Sequence, residues 1–375
     1  MPNKHSNGSV FFIHPEPEAE QRRILPVFIP FSGCRRRCVF CAQELQTGRQ
    51  ADAVKKILEE TGKTLARLDE ATASSAVNSS REKQSLPDLA FYGGTFTALA
   101  PEDLEACLAF GRHWRERGII GGLRCSTRPD ALSPDLLRRL CESGFNMVEL
   151  GIQSFSTSAL EAGGRGYTGE TALEACAMVR ESGLKLGVQL MPGMPGVDME
   201  TARSDVLATA TLRPDCARLY PCVVLEGSGL AGLWRKGLYK AWEESSALEF
   251  LAWACLQLWA AGTRIIRMGL APEDGLDAAI LAGPQHPSMG SRAKGLALYM
   301  LVEEQAEKLL AGRTGAERLQ PAVPPCLQLA APRRHQGEFW GFRKELLSRY
   351  AALGITGPEQ VRWHDGVEFV LEIVE

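Results

Sequence analysis

Residues 25–43 read LPVFIPFSGCRRRCVFCAQ, an apolar run followed at once by a loop with three cysteines. Cys34, Cys38 and Cys41 are separated by three residues and then by two. Thiolates at this spacing can hold three irons of a 4Fe–4S cluster, which leaves the fourth iron open to a small bidentate ligand. The three arginines between Cys34 and Cys38 would stabilise the thiolates and offset an anionic cluster. The loop therefore predicts a metal centre directly after the first strand.

A structural zinc site is the alternative for these cysteines. Such a site normally has four protein ligands in paired spacings, and the sequence offers no second Cys/His pair to complete one. His14 or a distant cysteine would have to supply the fourth ligand. The other eight of the 11 cysteines stand singly and are expected to be small buried residues, because the sequence shows no export signal.

The apolar run at the start of this segment is the first of seven, with helical patterns between them. A repeated strand–helix unit predicts a parallel sheet, and six or seven units favour a partial or complete (β/α) barrel. A doubly wound α/β sheet is the alternative, and both folds bind ligands at the carboxyl ends of their strands. The predicted strands cover residues 25–31, 89–94, 123–128, 146–153, 184–191, 215–221 and 264–270, and helical periodicity covers 51–68, 101–118, 133–144 and 169–183.

Composition shifts along the chain predict its domain organisation. The interpretation is an N-terminal extension at 1–24, a barrel domain with a helical extension at 25–310, and a linker at 311–325. A small C-terminal α/β appendage follows at 326–375, with a helix at 339–354 and a strand pair in 362–374 joined by a turn.

Overall composition narrows the class of protein. The 375 residues are 45% hydrophobic and 23% charged, which is ordinary for a globular protein. The net charge of −3 gives no support to non-specific nucleic-acid coating, and no DNA partner is expected. No run reaches the ~20 apolar residues of a membrane helix, and no signal peptide is recognisable. A cytoplasmic enzyme with no membrane partner is therefore expected.

Two motifs resemble a known family. The pattern CxxxCxxC with an aromatic residue before the last cysteine, here Phe40, is similar to the signature of the radical S-adenosylmethionine (SAM) superfamily. The segment FYGGTFT, with Gly93, Gly94 and Thr95, resembles that superfamily's glycine motif at the end of the second strand. The resemblance implies that this backbone contacts the amino group of SAM's methionine. Thr95 stands where Glu is usual, so a carboxylate contact is lost.

Further segments resemble Elp3-like members of this superfamily, and the likeness covers roughly residues 25–300. Two departures separate the chain from Elp3 itself, which has a wider gap between its first two cluster cysteines and carries an acetyltransferase domain. The chain is therefore identified as similar to the short bacterial Elp3-like radical SAM proteins. The matching segments are RCSTRPD (124–130), VELGIQS (148–154), RGYT (165–168), VQLMPGMPG (188–196), RPDCARLYP (213–221), IRMGL (266–270) and GPQHP (283–287).

Polar residues within the predicted strands are candidates for cofactor contacts. Glu149 and Gln153 lie four residues apart, so they share one face of a strand. The resemblance implies that both line a pocket near the ribose of SAM, and that Arg165 and Gln189 approach its carboxylate or ribose. The alternative is a buried network, for example one that pairs Glu149 with Arg128, because a buried charge needs a partner.

Arg267 and His286 are expected on the substrate side of the barrel mouth. The resemblance implies this position for both, although His286 in GPQHP is equally typical of a turn residue.

The resemblance implies an enzyme that uses a 4Fe–4S cluster to cleave SAM reductively and to abstract a hydrogen atom from its substrate. An external one-electron donor, such as a flavodoxin or ferredoxin, would reduce the cluster. Three functions stay open: radical modification of tRNA, radical chemistry on a small molecule as in the coproporphyrinogen oxidase group, and a non-catalytic iron–sulfur protein.

Overall fold

The computed structural model describes residues 5–6, 8–18, 22–47, 52–75, 86–271, 273, 275–311 and 326–374. Its strands are β1 (His5–Ser6), β2 (Ser9–Ile13), β3 (Ile24–Phe28), β4 (Asp88–Tyr92), β5 (Gly122–Thr127), β6 (Phe145–Gln153), β7 (Lys185–Leu190), β8 (Cys216–Leu219), β9 (Val224–Leu225), β10 (Arg264–Met268), β11 (Ile280–Ala282), β12 (Cys326–Pro332), β13 (Val361–His364) and β14 (Glu368–Val374). Its α-helices are α1 (Gln43–Thr47), α2 (Val54–Ser75), α3 (Pro101–Glu116), α4 (Pro134–Glu142), α5 (Thr157–Ala162), α6 (Gly169–Glu181), α7 (Met199–Leu212), α8 (Gly229–Arg235), α9 (Glu244–Ala260), α10 (Leu276–Ala279), α11 (Met289–Ala311) and α12 (Leu347–Ala352).

The chain forms two compact units assembled from separate segments. The larger unit comprises Pro17–Glu244 and Thr263–Pro287, and the smaller comprises Met1–Glu16, Ser245–Gly262 and Ser288–Glu375. The contiguous boundaries predicted at residues 24, 310 and 325 do not coincide with these units, because strands and helices distant in sequence pack together. The predicted linker at 311–325 lies outside the described residues except for Ala311.

A seven-stranded parallel sheet is the centre of the larger unit. Its spatial order, β3-β4-β5-β6-β7-β8-β10, follows the order of the chain, and every neighbouring pair is parallel. In a doubly wound sheet the sequence order of the strands would reverse part-way across the sheet. Among the described residues β3 and β10 do not pair with each other, so the barrel is partial. The structure confirms the predicted barrel in its open form.

The strands of this sheet form because their apolar runs can be buried on both faces. Strands β4, β5 and β6 are buried along nearly their whole length, as is usual where helices cover a parallel sheet. Three covering helices begin at capping residues, where Ser133, Thr168 and Asp198 each accept a hydrogen bond from a backbone N–H of the first turn. The helices predicted at 133–144 and 169–183 are thereby confirmed.

The smaller unit contains a mixed five-stranded sheet of order β1-β2-β14-β12-β13. β12 lies between β13 and β14, parallel to the first and antiparallel to the second. The strand pair predicted in 362–374 is therefore wrong as a direct pair. The helix predicted at 339–354 is reduced to α12, because Gly341, Arg343 and Lys344 have left-handed backbone that interrupts a helix.

Candidate active site

A cavity of about 500 Å³ lies at the carboxyl ends of the parallel strands, which is a usual size for a ligand site. Its walls come from the loop after β3 and from the ends of β4 to β8 and β10. Thr95, Glu149 and His286 are not among the described residues that line it. Ten residues predicted from the sequence do line it: Cys34, Cys38, Phe40, Cys41, Gly93, Gly94, Gln153, Arg165, Gln189 and Arg267.

The three cysteines of the loop after β3 all border this cavity. Cys38 is buried, whereas Cys34 and Cys41 are half-buried. Burial, together with the neighbouring Cys38 and Cys34, raises the pKa of Cys41 to about 12. A cation bound there would favour the thiolate, because metal binding displaces the thiol proton. The donor set and its position therefore fit an iron–sulfur cluster.

An iron–sulfur cluster and a zinc ion place different demands on the three sulfurs. Among the described residues, no three His, Cys, Asp or Glu side chains are close enough to share one metal ion. A zinc ion requires its ligands to converge on a single point. In a 4Fe–4S cluster each cysteine binds its own iron, so the sulfurs need only surround the cluster. Three cysteines on one loop meet the number of protein ligands that such a cluster needs when one iron stays open.

Arg165 places a buried positive charge against one of these sulfurs. Its Nη1 donates to Cys38 Sγ at 3.0 Å, and its Nη2 donates to the Gly151 carbonyl oxygen at 2.5 Å. Tyr167 accepts from the same guanidinium at 2.9–3.0 Å. Arg165 thus contacts the cysteine loop, and it can offset the charge of a thiolate at Cys38.

The glycine motif packs directly against the cysteine loop. Gly94 has a φ of +57°, and a Cβ there would lie 2.0 Å from the Ser32 carbonyl oxygen, so no larger residue fits. The Gln43 side-chain oxygen accepts from the backbone N–H groups of Phe31 at 2.6 Å and Gly94 at 3.0 Å. Thr95 Oγ1 lies 3.3 Å from Cys34 Sγ. The two motifs therefore pack together as one continuous surface.

Two amides on neighbouring strands line the cavity. Gln153 ends β6, and Gln189 on β7 donates to its side-chain oxygen at 3.3 Å. Gln153 has a φ of +71°, which is uncommon for a residue other than glycine and typical of functional sites. This pair presents hydrogen-bonding groups suited to a ribose or an adenine.

Glu149 is part of a buried network rather than of the cavity wall. It is 3% exposed and accepts from Arg124 at 2.8 Å, from Arg218 at 2.6 Å and from the hydroxyl of Tyr92 at 2.8 Å. Burial opposes its ionisation, but Arg218 and Arg124 outweigh burial and hold the pKa of Glu149 below its ordinary value. The network alternative is thus observed, with Arg124 and Arg218 as partners in place of Arg128.

Arg128 and His286 have other surroundings. Arg128 pairs with Asp130 at 2.8 Å and also hydrogen-bonds to the carbonyl oxygen of Arg165. His286 is half-buried in the segment between β11 and α11.

Sequence reasoning missed three contributors: Tyr92, Arg124 and Gln43. Tyr92 and Arg124 stand within the motifs already noted, and strand alternation was the available signal for them. Gln43 lies two residues after the last cysteine, and its role depends on a loop-to-loop contact that no local pattern indicates.

Comparison with known proteins gives the family. The model of the radical SAM superfamily matches residues 28–206, and the model of the radical SAM C-terminal domain matches residues 214–294. The chain belongs to the radical SAM superfamily. This radical SAM protein is therefore an enzyme whose cofactors are a 4Fe–4S cluster and SAM.

The curated relatives of this radical SAM protein include two kinds of protein, one named tRNA uridine(34) acetyltransferase and the other named Elongator complex protein 3. The tRNA uridine(34) acetyltransferase of Methanocaldococcus jannaschii is 36% identical over 146 residues, 38% of this chain and 27% of the relative. Elongator complex protein 3 of Homo sapiens is 31% identical over 197 residues, 47% of this chain and 36% of the relative. The matches thus span at most 36% of these relatives' length.

A solved structure has the same fold. Elp3 of Methanocaldococcus infernus, with an N-terminal deletion, superposes with a TM-score of 0.55 at 22% identity. The match covers 76% of this chain and 64% of that one. In the described part of the radical SAM protein, no helix has the length and apolar character needed to cross a bilayer.

Proposed function

We propose that Cys34, Cys38 and Cys41 each bind one iron of the cluster, and that the enzyme cleaves SAM to modify tRNA. The observation that carries this proposal is the contact between the cysteine loop and the glycine motif at one end of a ligand-sized cavity. When bound, the cluster supplies the electron that cleaves SAM and so the radical that takes a hydrogen atom from the substrate. An external flavodoxin or ferredoxin reduces the cluster.

The residues around the cluster hold SAM in place. The Gly93–Gly94 backbone contacts the methionine amino group of SAM. The N–H of Gly94 already donates to the Gln43 side-chain oxygen, so the backbone group that accepts from this amine is a carbonyl oxygen. Gln153 and Gln189, which also line the cavity, contact the ribose. Arg165 contributes through Cys38, since its guanidinium is within hydrogen-bond distance of that sulfur.

tRNA is the proposed substrate because the radical SAM region is similar to two kinds of protein named for tRNA uridine acetylation or Elongator. Arginines Arg35 and Arg37 are exposed on the cysteine loop, where phosphate groups of an RNA can reach them. The small-molecule function and the non-catalytic function are the outcomes that the following experiment distinguishes.

The test is anaerobic reconstitution with iron and sulfide, then dithionite and SAM, with 5′-deoxyadenosine measured by chromatography. We expect product from the wild type, more in the presence of bulk tRNA, and none from Cys38→Ala. Cys141→Ala is the matched control, since this half-buried cysteine lies on α4 and does not line the cavity.

Each outcome has a definite meaning. Product from Cys38→Ala would refute the cluster assignment, and no product from a fully reconstituted wild type would leave a non-catalytic iron–sulfur protein. Stimulation by a porphyrinogen and not by tRNA would establish the small-molecule function instead.

A further inference from the structure

Positive charge exceeds negative charge around the cavity. Among the described residues that line it are six arginines, Arg36, Arg37, Arg128, Arg165, Arg218 and Arg267, and a single carboxylate, that of Glu273. Two of the six have partners near the cysteines, Arg165 at Cys38 and Arg128 at Asp130. Arg36 and Arg37 belong to the cysteine loop, where they can offset the charge of an anionic cluster. SAM carries a positive sulfonium and adds no net negative charge, so positive charge at Arg218 and Arg267 is available to the substrate.

Two of these arginines lie side by side at the end of the cavity formed by β8 and β10. Arg218 on β8 and Arg267 on β10 are direct partners in the parallel register. Neighbouring strands are about 4.8 Å apart, so the two side chains leave the sheet close together. Like charges in such a pair repel each other, which destabilises the arrangement unless an anion lies between them.

The carboxylate that pairs with Arg218, that of Glu149, already has a second arginine partner. Glu149 accepts hydrogen bonds from both Arg218 and Arg124, so one negative charge serves two guanidinium groups. Burial and the charge of Glu149 raise the pKa of Tyr92, which is therefore neutral and adds no negative charge. Within the described residues, Arg267 has no carboxylate within ion-pair distance. The three arginines thus retain two uncompensated charges.

Donor groups of both arginines remain for a ligand. Arg218 uses three of its N–H groups on Glu149, Tyr220 and Tyr92, and a guanidinium has five. Within the described part of the chain Arg267 donates one hydrogen bond, a long one of 3.4 Å from Nε to the Gly269 carbonyl oxygen. Both side chains line the cavity. A group with several acceptor oxygens can therefore bridge them.

We propose that Arg218 and Arg267 form a phosphate-binding subsite that holds the backbone of the target nucleotide. This proposal rests on the proposed function, because tRNA is what brings phosphate into the cavity. Two guanidinium forks fit the several oxygens of a phosphate better than the two oxygens of a carboxylate. The subsite holds the phosphate beside β8 and β10, so the sugar and base extend from there into the cavity.

The experiment compares uridine 5′-monophosphate with uridine as probes of the reconstituted protein in the presence of SAM, by isothermal titration calorimetry. We expect the monophosphate to bind at least about tenfold more tightly, since a hydrogen bond to a charged group contributes that much or more. Arg267→Met should abolish the difference, Arg267→Lys should retain part of it, and added salt should reduce it.

The matched control is Arg264→Met. Arg264 lies on the same strand as Arg267 but does not line the cavity, and its replacement by Met removes the same charge. It should retain the preference for the monophosphate. Arg267 is chosen for replacement because removal of Arg218 would leave Glu149 with one partner fewer in a buried position.

Three results would overturn the subsite. Equal binding of the two probes, or an unchanged preference in Arg267→Met, would refute it while tRNA-stimulated SAM cleavage left the proposed function intact. Binding of coproporphyrin III that depends on Arg267, with none of the monophosphate, would refute both the phosphate subsite and the tRNA function.

Discussion

At the scale of single residues, Glu149 connects the strands that border the cavity. Its two arginine partners come from β5 and β8, and its tyrosine partner comes from β4, so one carboxylate joins four strands including its own. The sequence offered two interpretations of Glu149, a position near the ribose of SAM and, as the alternative, a buried network with a partner such as Arg128. It did not identify the partner, because the choice among Arg124, Arg128 and Arg218 depends on which side chains the strand register brings to the same level.

Replacement of Glu149 should destabilise the larger unit strongly. Glu149→Gln leaves two buried guanidinium groups without a carboxylate, which typically reduces the free energy of unfolding by about 3–5 kcal/mol. Tyr92→Phe leaves both ion pairs in place but removes two hydrogen bonds to charged groups, the one that the hydroxyl donates to Glu149 and the one that it accepts from Arg218. A smaller loss of about 1.5–3 kcal/mol is therefore expected. Urea unfolding at pH 7 measures both. A Glu149→Gln protein as stable as Tyr92→Phe would show that the ion pairs contribute little.

At the scale of elements, the sequence predicted the parallel strands well because they are short apolar runs between helices with clear caps. The seven predicted runs overlap β3 to β8 and β10. Prediction failed where pairing is non-local: β13 and β14 flank β12, and β2 pairs with β14 from the other end of the chain. Local patterns indicate a strand, but they do not determine its neighbour.

The contact between the cysteine loop and the glycine turn should tolerate no side chain at Gly94. Gly94→Ala places a Cβ against the Ser32 carbonyl oxygen, so the loop must move and iron incorporation should fall severalfold. Gly118→Ala is the matched control, because Gly118 also has a positive φ of +70° and a Cβ there meets nothing within 4 Å. Gly118→Ala should cost about 1 kcal/mol of stability and retain iron. Equal iron content in the two variants would contradict the packing argument.

At the scale of the whole molecule, each unit has its own core, and the smaller one buries a histidine. His14 follows β2, and its ring lies 4.5 Å from that of His335. Burial, with His335, Arg334 and Lys294 nearby, lowers the pKa of His14 to about 3. The folded protein therefore keeps His14 neutral, and its stability depends on pH.

The smaller unit should lose stability in mild acid. Because the folded pKa of His14 is below the unfolded value of 6.5, the unfolded chain takes up the proton first, and stability present above pH 6.5 is lost as the pH falls toward 3. Relative to His14→Asn, which cannot titrate, the wild type should lose about 1.4 kcal/mol per pH unit below 6. Urea unfolding at pH 7, 6, 5 and 4.5 gives the comparison. Parallel pH profiles for the two proteins would refute it.

The open form of the barrel has a consequence for self-association. A sheet that does not close leaves two strands with unpaired backbone groups, and such edges can template aggregation. In the described sheet one edge is β3, which carries Pro26, a residue with no N–H to donate. The other edge is β10, whose register shifts between Ile265 and Arg267. A proline on one edge and an irregular register on the other make both poor templates for a second chain.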